Sequence, residues 1–541
     1  MENATPEKGL GPREWRYLGI VLVAGLLAHA PFILSTGFFS DESVYTYAGY
    51  AILRGNTPYE QIMLPHPPLG YFGMAILVAL SQGSLALLRI SYLLLFLLIG
   101  ALTYILFASL RRVGASPFHP LVAAAVLMIS PIPYALTTPL EFLLFEIPVL
   151  LSLILVVKGL LARSVRHLLG SGMFLAVAMM IWYPAIFVAI TVVSFVVVYS
   201  IQRFSIREGL KLSSMVVGGG FIAIGVMLGF VAIFSNFNNF VLESITLQSS
   251  LRSGFTFMER VRHISLSVEE FLPMIVLGTF GAVDLVRRWQ RTGEFLLLLS
   301  LWVYLGNFLL LSTVPKIVLS HYFAYLTPFL AYLASDPIET LARRLFYSKR
   351  RSGMRISVHS PYDLSKMVIS IAMIGIVVLV PLYTAPQASG FLITDRYTLA
   401  EHTVGLYVAS ITGPNDKIWT SEGAIAYFAG RLIEPSNSSR WPLQTEYNDV
   451  FNTTYVDGDG VTQKGLGIAS PQEFMEGWIM HRTTVLVFIF NQGPIPYPDG
   501  LVWNGWTGTT GEGTWVMANY RLNSTFTFPG VDYSYYVWLI N

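Results

Sequence analysis

Apolar residues run in long, nearly unbroken stretches through roughly the first 384 positions and give way to short alternating runs beyond them. Stretches such as 17–35, 85–110 and 367–383 have the length a helix needs to cross a hydrocarbon core, about 20 apolar residues. Clusters of Lys and Arg interrupt the apolar pattern at 8–16, 111–112, 158–166, 203–211, 287–291 and 343–355. Such clusters near span ends mark the cytoplasmic side, so neighbouring clusters must enclose an even number of crossings. Between 16 and 111 this rule pairs 17–35 with 85–110 and leaves the short stretch 69–80 as an interfacial helix in an outer loop. It pairs 121–136 with 140–157 and folds 170–201 into a hairpin of two short helices turning near Trp182-Tyr183-Pro184. It also pairs 215–234 with 271–286 around an outer loop at 235–270. Runs 295–311, 321–334 and 367–383 complete the series. The pattern predicts an α-helical polytopic membrane protein of about 11 spans, N-terminus inside and C-terminus outside.

Composition agrees with a chain dissolved mostly in lipid: 541 residues, 54% hydrophobic and only 12% charged, with mean hydropathy +0.58. A soluble domain is about a quarter charged. The first run follows Lys8, Arg13 and Arg16, is too long for a signal-peptide core and reads as a retained anchor. The net charge of +2 hides an asymmetry, because residues 1–384 carry 27 Lys+Arg against 18 Asp+Glu while residues 385–541 carry 7 against 14. A basic membrane part and an acidic tail place the two on opposite sides of the bilayer. The expected organisation is a transmembrane module, 1–384, with an outer loop at 37–84, and an extracytoplasmic soluble α/β domain, 385–541. In the tail, β-rich runs at 483–490, 514–522 and 533–540 alternate with helical stretches near 399–411 and 471–481. With no cysteine in the chain, neither disulfides nor thiolate metal sites hold that domain. Sequons at Asn437, Asn452 and Asn523 are compatible with an outward tail. The membrane is the plasma membrane, or that of the endoplasmic reticulum in a eukaryote.

Under this topology the ionisable residues near the bilayer gather at its outer rim. Asp41, Glu42 and His66 share the first outer loop, Glu141 and Glu146 lie at the outer end of the fourth span, and Lys316 and His321 precede the tenth. Ionisable groups at such depth cost several kcal/mol in order of magnitude unless they pair or face a wet cavity. Both signs at one rim point to a cleft suited to group transfer from a lipid-phosphate sugar. A carboxylate takes the proton of an acceptor hydroxyl while the anomeric carbon gains oxocarbenium character, and Asp41 is the candidate base. The departing phosphate needs cationic or N–H donors, which Lys316, His66 and His321 supply. Tyr45, Tyr47, Tyr59 and Tyr71 offer interfacial rings for stacking on a sugar.

The run Asp41-Glu42, followed by Tyr47-Ala48, Gly55, Tyr59 and then His66-Pro67-Pro68-Leu69-Gly70, resembles the first outer loop of dolichyl-phosphate-mannose protein O-mannosyltransferases. It is similar, more loosely, to the lipid A aminoarabinose transferases of the same GT-C superfamily. The motif resemblance covers residues 38–72, with fainter support from 315–334. It implies an inverting, membrane-embedded GT-C hexosyltransferase that moves mannose or another hexose from a polyprenyl or dolichyl phosphate to an extracytoplasmic protein hydroxyl or glycan. It further implies that Asp41 is the base, that Glu42 helps place acceptor or sugar, and that His66 lies near the donor phosphate. An acidic residue of the family's fourth-span region corresponds to Glu141 or Glu146. The chain lacks the β-trefoil insertion of the eukaryotic enzymes and carries an outer C-terminal domain instead, which leaves a lipid or lipid-linked glycan open as acceptor.

The implied partners are a polyprenyl-phosphate sugar, a protein, glycan or lipid acceptor, and the bilayer, with no nucleic acid among them. No cofactor is certain from the sequence: no ligand spacing demands a metal, although rim carboxylates and histidines could bind a divalent ion. Blander roles exist for each residue: a solvated connector for Asp-Glu, a helix cap for His66, bundle hydrogen bonds for Glu141 and Glu146, and snorkelling or an interfacial belt for Lys316 and His321. A transporter or flippase is the rival of another class. It would show pseudo-repeats and polar sites near the midplane, neither of which the sequence displays.

Overall fold

Helices built from the long apolar runs make up the N-terminal part of the computed structural model. It describes residues 12–35, 40–62, 64, 66–113, 118–129, 140–247, 256–315, 320–348, 396, 398–420, 423–433, 454–456, 462–464, 482–491, 502–503, 506–507, 519–529, 531 and 533–541. In order, the helices are α1 (Pro12–Ser35), α2 (Ser40–Leu53), α3 (Pro68–Ser81), α4 (Leu85–Ser109), α5 (His119–Ile129), α6 (Phe145–Ala162) and α7 (Val165–Met179). They continue as α8 (Ala185–Arg203), α9 (Ile206–Phe234), α10 (Phe257–Glu270), α11 (Leu272–Thr292), α12 (Leu299–Thr313) and α13 (Thr327–Ser348). Among the described residues five helical segments are long and apolar enough to cross a bilayer: Leu85–Ser109, Phe142–Ala162, Ala185–Arg203, Ile206–Phe234 and Phe295–Thr313. The pair α10 and α11, bent by 81°, makes a sixth if it is one broken span. Part of the expected count of eleven rests on 130–139 and 367–383, which lie outside the described residues.

Local chemistry sets the helix starts. Ser84 caps α4 by accepting from the Leu87 N–H at 3.4 Å, and Ser205 caps α9 through the Glu208 N–H at 3.3 Å. The hairpin expected over 170–201 is present as α7 and α8, broken at residues 180–184. Small residues let the helices cross closely: a Cβ on Gly172 would lie 1.8 Å from the Val216 carbonyl oxygen, and one on Gly281 1.8 Å from that of Leu333. These positions join α7 to α9 and α11 to α13 in the manner of small-residue membrane interfaces. An ionic cluster ties α5, α11 and α13 together, with His119 Nε2 at 2.7 Å from Asp336 Oδ1 and 3.0 Å from Glu339 Oε2. The Arg288 guanidinium also bonds Asp336.

Two segments differ from the sequence-based expectation. The segment 235–270, expected as an outer loop, contains the short helix Phe237–Phe240, a π-turn Val241–Leu247 and α10, at whose start Thr256 and Glu259 form a reciprocal capping box. The run expected at 321–334 begins instead as a 3₁₀ turn, Ser320–Leu326, and α13 then continues to Ser348.

The C-terminal region holds a five-stranded mixed sheet in the order β2-β1-β5-β9-β8, formed by β1 (Lys417–Thr420), β2 (Leu432–Ile433), β5 (Thr483–Asn491), β8 (Tyr520–Thr527) and β9 (Tyr533–Ile540), and two short antiparallel pairs, β3 (Thr454–Val456) with β4 (Thr462–Lys464) and β6 (Val502–Trp503) with β7 (Trp506–Thr507). β1 pairs in parallel with β2 and β5, whereas β9 runs antiparallel to β5 and β8. A helix over 398–411 and the short α14 (Gly423–Ala429) accompany it. The predicted runs 483–490 and 533–540 match β5 and β9. Of the run expected at 514–522, residues 514–518 lie outside the described residues and 520–522 fall in β8, whose register follows β9 from Tyr520 opposite Ile540 to Thr527 opposite Ser534. The boundary near 384, the helix expected at 471–481, Asn437 and Asn452 lie outside the described residues.

Candidate active site

Two motifs about two dozen residues apart in sequence meet in space. Asp41 is the second residue of α2, and its side chain lies outside the described residues. Its neighbour Glu42 is fully buried and accepts a hydrogen bond from the Arg89 guanidinium, itself 1% exposed, in the first turn of α4. The Arg89 guanidinium carbon also stands 5.5 Å from the Tyr92 ring centroid. Desolvating two charges is expensive, and an ion pair survives there only with good geometry, so Glu42 is committed to Arg89. The pair anchors the N-terminal turn of α2, to which Asp41 belongs.

His66 is half-buried. Its Nε2 lies 3.2 Å from the Tyr45 hydroxyl, one turn along α2 from Asp41, with the two rings edge-to-face at 5.7 Å. Its backbone carbonyl accepts from the Tyr59 hydroxyl at 2.7 Å. Burial holds that hydroxyl well above the usual tyrosine range, so it remains a donor. Tyr45 and Tyr59 thus both hold the His66 segment. Both are buried, 3% and 0% exposed, and their hydroxyls are engaged with His66.

The connection between the motifs is braced from distant parts of the chain. Tyr59 takes φ +58°, a left-handed conformation that costs a bulky residue of order 1–3 kcal/mol and is found where surroundings over-determine it. Its N–H bonds the Ile62 carbonyl at 2.9 Å, its carbonyl accepts from Asn239 Nδ2 at 2.7 Å, and its ring packs edge-on to Phe240 at 5.1 Å. Glu243, also buried, accepts the Leu64 N–H at 3.0 Å. The Leu69 N–H donates to Met180 at 2.9 Å, so the break between α7 and α8 does more than turn a hairpin: it holds the His-Pro-Pro-Leu segment.

The sheet region is docked on the same helix. The Tyr47 hydroxyl of α2 accepts the Ile433 N–H at 2.6 Å, and Tyr427 of α14 shares a hydrogen bond with Ser81 at 3.1 Å while its ring meets Tyr50 at 6.1 Å. The opposite side of α2 lies close against α3, where a Cβ on Gly49 would come within 2.8 Å of the Ala75 nitrogen.

No family model matches the sequence, and no curated protein matches it. Solved structures do. ArnT from Cupriavidus metallidurans bound to undecaprenyl phosphate superposes with TM-score 0.51 at 14% identity, over 78% of this chain and 86% of that one. The Archaeoglobus fulgidus oligosaccharyltransferase tethered with an acceptor peptide gives TM-score 0.50 at 11% identity, over 88% and 69%. This chain has the GT-C fold.

Within this GT-C framework, Glu146 is the one remaining candidate whose side chain is described, and the turns that carry Glu141 and His321 lie against each other. Glu146, in the first turn of α6, is fully buried, and among the described residues neither of its carboxylate oxygens has a hydrogen-bond partner. Its neighbour Phe145 packs edge-on to Trp182 and Tyr325, each at 5.2 Å. Glu141 sits in the preceding π-turn, Leu140–Leu144, and His321 in the 3₁₀ turn Ser320–Leu326; both side chains lie outside the described residues, as does all of Lys316. Among the described residues no group of three or more His, Asp or Glu side chains is placed to hold a metal ion.

Sequence reasoning missed Arg89, Glu243, Asn239 and the Tyr47–Ile433 contact. Arg89 carried a usable signal, since a lone cation inside an apolar run demands a counter-charge. The others join segments well over a hundred residues apart, with no local pattern to mark them.

Proposed function

We propose that this protein is an inverting glycosyltransferase that moves a hexose, mannose or a related sugar, from a polyprenyl phosphate to an extracytoplasmic hydroxyl. The observation that carries the reading is the Tyr45–His66 hydrogen bond, which joins the helix bearing Asp41 to the His-Pro-Pro segment. The GT-C fold, shared with a protein that binds undecaprenyl phosphate and with one that holds an acceptor peptide, supports it.

In this reading Asp41 takes the proton of the acceptor hydroxyl, the hydroxyl oxygen attacks the anomeric carbon, and the bond to the phosphate oxygen breaks with its electron pair leaving on the lipid phosphate. Attack opposite the leaving group inverts the anomeric centre. His66, Lys316 and His321 are proposed to offset the charge growing on the phosphate. Glu146 is proposed to bond a sugar hydroxyl, which would supply the partner it otherwise lacks. Glu42 is proposed to act through Arg89 by setting the direction of Asp41.

Incubation of the purified protein with radiolabelled polyprenyl-phosphate mannose and a membrane extract tests the reaction. Label is expected to move to a protein, glycan or lipid fraction, whose identity names the acceptor, with the anomeric configuration inverted. Retention of configuration would overturn the mechanism. Tyr45→Phe is expected to slow transfer roughly two- to tenfold, the worth of one ordinary hydrogen bond. Unchanged initial rates would remove the Tyr45–His66 contact from the site. Glu146→Gln is expected to raise KM for the sugar donor more than it lowers kcat, as loss of a binding contact does; an effect on kcat alone would argue against sugar binding.

A further inference from the structure

Away from α2, the helices α11, α12 and α13 flank a half-open groove of about 410 Å³ lined by Gly278, Ala282, Val283, Leu301, Leu305 and Leu333. Toward Ser267, Phe308 and Phe323 the adjoining hollow shrinks to about 10 Å³, at most about one water. The pinched end is the one nearer the candidate active site, because Tyr322, beside Phe323, packs at 5.2 Å on Trp182, in the break that holds Leu69. Arg287 lines the other end. From Ile275 to Arg287 the helix rises about 18 Å, roughly half a bilayer core. The Arg287 side chain is 64% exposed, and its contact with Asp284 at 3.5 Å is a solvated surface pair of little energetic weight. Arg291, one turn further on, is also exposed. Beside the groove the same helices expose Val276, Phe280 and Leu309, a surface suited to lipid.

We propose that this groove holds one acyl chain of an anionic phospholipid drawn from the leaflet opposite the Asp41 loop, with its headgroup on Arg287 and Arg291. An apolar groove of this length, basic at one end and narrowing at the other, fits a chain lying along it with its headgroup beside the arginines. Basic pockets between membrane helices recognise anionic headgroups. The narrowing toward Phe323 argues against the sugar donor, whose phosphate would sit at the other face.

Native mass spectrometry of the full-length protein, supplied with equimolar dioleoyl phosphatidylglycerol and dioleoyl phosphatidylcholine, tests the proposal. Wild type is expected to retain phosphatidylglycerol preferentially. Arg287→Gln and Arg291→Gln should each weaken that retention roughly fivefold. Ala282→Phe, which fills the groove, should abolish retention of both lipids. The arginine variants alter exposed side chains, so they decide the matter even if Ala282→Phe fails to fold. Equal retention of the two lipids, retention unchanged in the arginine variants, or displacement of phosphatidylglycerol by one equivalent of polyprenyl phosphate would each overturn the proposal.

Discussion

Asp41→Asn is expected to reduce sugar transfer by at least roughly a hundredfold, the lower end of what a positioned general base contributes, while leaving thermal stability unchanged. The side chain is nearly isosteric, so the change removes basicity and little else. Glu42, next in sequence, cannot replace Asp41 because its carboxylate is buried against Arg89. The loss should therefore appear in kcat, with donor binding retained. A matching loss of thermal stability would instead assign Asp41 to the scaffold of α2.

Arg89→Ala is expected to cost more stability than a substitution at Asp41, Tyr45 or Glu146. It would leave the Glu42 carboxylate buried without its counter-charge, a penalty of about 3–5 kcal/mol. Because Glu42 adjoins Asp41, transfer should fall as well. The double variant Glu42→Gln/Arg89→Met removes both charges at similar volume, and such replacements are often close to neutral for stability. Recovery of both stability and transfer in the double variant would define Glu42 as a positioning residue. Recovery of stability without transfer would show that Glu42 touches substrate. Thermal denaturation and initial rates of wild type, Arg89→Ala and the double variant distinguish these outcomes.

Helical membrane architecture and a terminal sheet were legible because apolar periodicity and length are local properties. The α7–α8 hairpin was legible for the same reason, through charge parity and the Trp182-Tyr183-Pro184 break. The extension of β8 to Thr527 was not legible, because it is set by pairing with β9 rather than by a local pattern. At the site, the importance of 41–42 and 66–70 was visible as a motif, yet the roles of the intervening tyrosines were not. Tyr45 and Tyr59 read as interfacial rings because aromatic residues favour membrane boundaries. Tyr59 is covered by Phe240 and its surroundings are held by Asn239 and Glu243, which come from the helical segment 237–247, some 180 positions away in sequence. The docking of α14 and β2 onto α2 joins residues 386 positions apart, through Tyr47 and Ile433, and no sequence pattern announces it.

The most direct measurement is the initial rate at which radiolabelled sugar leaves polyprenyl-phosphate mannose, compared between wild type and Asp41→Asn of equal thermal stability. The account predicts release and transfer by wild type and at least a hundredfold less by the variant, roughly the contribution of the missing base. Equal rates from the two proteins would contradict it.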